Sequence, residues 1–82
     1  MNRTDILKRK IVSIVNEEIK YVEGRAIYAA NFIKAQYTPD ELENPDKLIN
    51  IQDIQTDLYN SVYKPWLEHL ESLRKEIKNY KD

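Results

Sequence analysis

Between Leu7 and Gln36 the chain repeats a helical pattern without interruption. Leu7, Ile11, Val15, Ile19, Val22, Ala26, Ala29, Ile33 and Gln36 recur at steps of three and four, which sets them on one stripe of an α-helix. Thr4 is placed to cap the start of this helix, and Asp5 falls in the first turn, where the helix dipole favours an acid. Gly24 lies inside the run and costs about 1 kcal/mol relative to alanine. The stripe keeps its phase across Gly24, so the pattern predicts one long helix to about Tyr37. A true break there would give a three-helix bundle instead.

Thr38-Pro39-Asp40-Glu41 then stops the helix and restarts the chain. Threonine as N-cap, proline at the first helical position and glutamate at the third make a capping-box pattern, here for a single turn. Asn44-Pro45-Asp46 repeats that chemistry and opens the second long helix. Its stripe reads Leu48, Ile51, Gln55, Leu58, Val62, Trp66, His69, Leu73, Ile77 and Tyr80. Pro65 falls within this run, where a proline removes a backbone hydrogen bond and crowds the preceding turn. The apolar phase nevertheless carries straight through it, which predicts a kink between Ser61 and Pro65 or two consecutive helices sharing one face.

The two stretches are each about 33 residues, so about 50 Å long, and the short connection folds them back antiparallel. The expected architecture is a single all-α domain over residues 1–82, an antiparallel helical hairpin. Its first helix is apolar over more than one stripe. Ile14, Tyr21, Tyr28 and Phe32 flank it on one side and Ala30 on the other, an arc of about 200°. An arc that broad needs more than one neighbour, and a second copy would supply it as a four-helix bundle.

Composition narrows the chemistry. A chain of 82 residues holds one modest core, and with no cysteine it has neither disulfides nor thiolate metal sites. That fits a reducing compartment. His69 is the only histidine, so a zinc site would need carboxylates for its remaining ligands. The N-terminal residues lack the layout of a signal peptide, and no stretch approaches the roughly 20 apolar residues that cross a bilayer. The expectation is a cytoplasmic protein with no membrane partner, no cofactor and no metal.

Net charge is −1, but the charges are unevenly spread. Arg3, Lys8, Arg9 and Lys10 make the N-terminal end basic. Between Thr38 and Asp57 six acids face the single base Lys47. The basic end offers a nucleic-acid reading, although nucleic-acid domains usually carry a broader basic face. Glu17, Glu18 and Glu23 do not make a carboxylate site. Acids that share a cation sit one helical turn apart on one face, and Tyr21 occupies the position that would complete such a set. Glu43 and Asp46 straddle Pro45 at a helix start, where capping accounts for them. In outline the chain is similar to the helical chorismate mutases, which clamp a dicarboxylate with several arginines and a lysine. Arg25 is present, but Lys8 and Gln36 stand where further cations would be wanted, and the second helix has no arginine before Arg74. The similarity is one of architecture only.

Six tyrosines and one tryptophan remain. Trp66 and Tyr80 fall on the stripe as core residues, while Tyr59 and Tyr63 stand at its margin as core edge or partner contact. Hairpin register further sets Glu18 level with His69, and the two are expected to meet as a partly buried pair within the hairpin or across a dimer interface. The sequence thus predicts a non-enzymatic protein–protein interaction module, a small regulator, inhibitor or assembly factor that acts through helix surfaces and forms a homodimer. Its candidate surface is Ile14, Tyr21, Tyr28, Phe32, Tyr59 and Tyr63. The alternative is a nucleic-acid-associated regulator using Arg3, Lys8, Arg9 and Lys10.

Overall fold

The computed structural model describes residues 3–81, and all regular structure among them is helical. Helix α1 runs Arg3–Ala35 straight through Gly24, so the three-helix alternative does not hold. Gly24 keeps a negative φ, as any helical residue does. Thr4 lies inside the first turn rather than at the cap, because the helix has already begun at Arg3. At the other end the amides of Gln36 and Tyr37 donate to Ile33 and Lys34, each at 3.2 Å. These three-residue bonds tighten the last turn and satisfy carbonyls that the ending helix leaves open.

The connection folds as its capping chemistry dictates. Thr38 caps α2 (Pro39–Glu43): its Oγ1 accepts from the Glu41 amide at 3.2 Å, and its own amide donates to Glu41 Oε1 at 3.2 Å. Asn44 closes that turn and caps α3 (Pro45–Leu58), its Oδ1 accepting from the Asp46 amide at 3.0 Å.

After α3 comes a π turn, Tyr59–Tyr63, and then α4, Lys64–Asn79. The Lys64 amide donates to the Tyr59 carbonyl five residues back. Pro65 supplies the physical reason. In a regular helix its ring would press on the Ser61 carbonyl, and its missing N–H would leave that carbonyl without a donor. A wider turn relieves both and takes up one extra residue.

That extra residue rotates everything beyond it. Leu48, Ile51, Gln55 and Leu58 turn inward along α3, and the next inward residue is Tyr63, five positions on. Leu67, Leu70, Arg74 and Ile77 follow at steps of three and four. The expectation of one phase through Pro65 is therefore corrected. Val62, Trp66, His69, Leu73 and Tyr80 are all exposed; of the expected α4 positions, only Ile77 turns inward.

Helix α1 packs along α4, the π turn and α3. Lys8 meets Tyr80, Asn16 meets Arg74 and Ala30 meets Gln55, so the second stretch runs opposite to the first. The buried cluster is Val15, Ile19 and Val22 of α1 with Leu70 of α4, edged by Tyr63, Leu67 and Ile77. Ile51 is buried nearer the connection. Ala26, Ala29 and Ile33 are half-buried on the expected inward stripe of α1, whereas Leu7, Ile11 and Gln36 are exposed. With extents of 61 × 16 × 12 Å the pair is long and thin, and its core is one line of side chains.

Candidate interaction face

Much of the apolar surface lies outside that core. On α1, Leu7, Ile14, Tyr21 and Tyr28 recur every seven residues, about 110° around the helix from the buried stripe. Ile14 is 65% exposed, and Tyr21, Tyr28 and Phe32 are each 56–57% exposed. The π turn brings a second set outward on the other stretch, Val62, Trp66, Leu73 and Tyr80. The two sets meet: Leu7 and Ile11 of α1 line one open groove of about 480 Å³ with Leu73, Ile77 and Tyr80. Towards the connection Arg25, Tyr28, Phe32 and Leu58 line another.

The area gives the scale. The chain exposes 6518 Å², whereas a compact monomer of 9.8 kDa exposes about 5,200 Å². The excess of about 1,300 Å² exceeds the roughly 800 Å² that each partner contributes to a standard interface. Scattered exposed apolar residues are ordinary on a protein surface, whereas large contiguous apolar patches mark interaction sites.

Polar groups fix details of the face. The Arg25 guanidinium lies over the Tyr28 ring, 5.1 Å from its centroid, and the Tyr28 and Phe32 rings stack with centroids 6.2 Å apart. At the far end Lys8 Nζ donates to the Tyr80 backbone carbonyl and sits 5.8 Å from the centroid of its ring. These contacts hold aromatic rings against the helices and reduce the entropy a partner would have to remove on binding.

Of the expected surface residues, Ile14, Tyr21, Tyr28, Phe32 and Tyr59 are exposed, while Tyr63 packs on the buried cluster. Tyr59 lies apart from the main face, in a groove with Ile27, Ala30 and Leu67. Glu18 and His69 do not form a buried pair within the chain. Both are exposed, and among the described residues no hydrogen bond or ion pair joins them. The π turn has moved Leu70 into the inward place that His69 was expected to hold. What sequence reasoning missed is Arg74, which reaches Asn16 at 2.8 Å, because its inward position exists only after the extra residue.

The basic residues do not share one side of α1. At 100° per residue Arg3 and Lys10 fall within about 20° of each other, while Lys8 and Arg9 point elsewhere. Lys8 is already engaged with Tyr80. Among the acids, the Glu41 carboxyl is held below its usual value, first by the Thr38 amide, then by the Thr38 hydroxyl and Lys47. Among the described residues no group of three or more histidine, cysteine, aspartate or glutamate side chains is placed to hold a metal ion. No helix among them is long and apolar enough to cross a membrane. No protein-family model, curated protein or solved structure matches this chain.

Proposed function

We propose that this chain is a protein–protein interaction module, a helical hairpin that pairs with a second copy into a four-helix bundle and works through helix surfaces rather than through a chemical site. The observation that carries this reading is the apolar surface left exposed on both stretches, by Ile14, Tyr21, Tyr28 and Phe32 of α1 and by Trp66 and Leu73 of α4. A core of one line of side chains leaves that surface in water, where hydrophobic burial by a partner is favourable. Small regulators, inhibitors and assembly factors all work through surfaces of this kind, and we read the chain as one of them. The nucleic-acid reading has less support, because its four basic residues spread around α1.

Light scattering at micromolar concentration tests the reading. The expected result is about twice the 9.8 kDa chain mass, falling towards the chain mass on dilution. A folded chain that stays monomeric at every concentration would overturn it.

A further inference from the structure

The outward face of α1 carries a pattern beyond its tyrosines. Leu7, Ile11, Ile14, Glu18, Tyr21, Arg25, Tyr28 and Phe32 are separated alternately by four and three residues, the spacing of a helix–helix seam. Only Glu18 and Arg25 are charged, they are opposite in sign, and they stand seven residues apart about the midpoint of the seam. Both are exposed, and Glu18 makes no ion pair among the described residues. Arg25 lies along the seam over Tyr28.

From this placement we infer that two copies of the chain join α1 to α1 antiparallel, about a two-fold axis near Tyr21, with each Glu18 paired to Arg25 of the other copy. The inference rests on the self-association proposed above and specifies its geometry. Two-fold symmetry makes the interface self-complementary, so one Glu18–Arg25 contact is necessarily made twice. An axis near Tyr21 sets Glu18 within one helical turn of the other copy's Arg25. Ile11 then comes level with the region of Tyr28 and Phe32, so apolar residues meet apolar residues on both sides of the charges. A parallel arrangement does the opposite. It sets Glu18 against Glu18 and Arg25 against Arg25, and like charges at a seam are destabilising. The single pair of charges therefore selects orientation, as polar seam residues do in coiled coils.

Charge exchange tests the arrangement. Glu18→Arg alone sets two arginines together, and Arg25→Glu alone sets two glutamates together. Each should weaken dimerisation about tenfold, the loss of two exposed pairs and their replacement by repulsion. The double variant Glu18→Arg/Arg25→Glu restores the pairing reversed and should recover the parent dissociation constant within about twofold. Mixing the two single variants should give a heterodimer tighter than either homodimer. The neutral variants Glu18→Gln and Arg25→Gln, with their double, check the same coupling without introducing repulsion, and circular dichroism confirms that each variant is folded. Dimers whose single-variant losses add in the double, instead of cancelling, would overturn the antiparallel α1 seam while leaving self-association intact. A monomeric parent chain would overturn both.

Discussion

Arg74 of α4 donates from Nη1 to Oδ1 of Asn16 on α1 at 2.8 Å, with both side chains half-buried. The core beside them is thin, so this bond and the one from Gln55 Nε2 to the Ala30 carbonyl, also 2.8 Å, fix how the two stretches align. Hydrogen bonds of this kind specify register more than they add net stability, because water competes for the same groups in the unfolded chain.

Replacing Arg74 by alanine should cost about 1–2 kcal/mol, since it removes a charge-assisted bond and the packing of the aliphatic stem. Lysine should recover only part of this, because it lacks the planar fork that reaches Asn16. A double-mutant cycle with Asn16→Ala by urea denaturation checks it: additive losses would show that the two side chains do not interact.

The register beyond the π turn has its own test. Leu70 is buried and His69 beside it is exposed. Leu70→Ala should destabilise by about 2 kcal/mol or more, whereas His69→Ala should stay within about 0.5 kcal/mol. Thermal or denaturant unfolding of both variants decides it. A larger loss at His69 than at Leu70 would restore the unshifted helical phase.

Those two residues also show where the sequence stopped being readable. The caps at Thr38 and Asn44 were legible because all their chemistry lies within four residues. The inward line Val15, Ile19, Val22 was legible because no other apolar line on α1 is as continuous through the middle of the helix. Beyond Leu58 the chain carries two apolar lines at helical spacing, one through Val62 and Trp66 and one through Tyr63, Leu67 and Leu70. Periodicity shows both and cannot say which is buried. Pro65 marked the place of the irregularity, but a proline is compatible with a kink or with an added residue, and only the added residue changes the buried face. The exposed apolar side chains of α1 were thus visible as a broad apolar arc, while those of α4, Trp66 and Leu73, were read as core.

Acid should loosen the capping box that starts α2. The Glu41 carboxyl is held below its usual value by the Thr38 amide and hydroxyl and by Lys47, whose Nζ lies 3.4 Å from Oε2. A carboxyl whose folded value is depressed contributes stability above its unfolded value and loses it as pH falls through the folded value. The Glu41 midpoint followed by NMR should therefore lie below that of an ordinary glutamate, and Thr38→Ala should raise it. A midpoint unmoved by Thr38→Ala would remove the capping box as the cause.

Gly24 offers a gain rather than a loss. It lies in the middle of α1 with a negative φ, and a Cβ built there meets nothing within 4 Å. Neither a left-handed backbone nor a close approach requires glycine, and the position lies outside the Glu18–Arg25 seam. Alanine would narrow the unfolded ensemble and favour the helix, so Gly24→Ala should stabilise the chain by about 0.5–1 kcal/mol. For a domain of this size that corresponds to an increase of about 2–8 °C in the unfolding midpoint. The unfolding curves should be compared at equal chain concentration, because self-association of the kind proposed would make the midpoint depend on it. If α1 instead bends at Gly24 in solution, alanine would straighten the bend and disturb the packing of Val22 and Ala26 against the second stretch. A lower midpoint for Gly24→Ala would therefore contradict a continuous α1, while a higher one with an unchanged α1–α4 hydrogen-exchange pattern is the outcome the helix geometry requires.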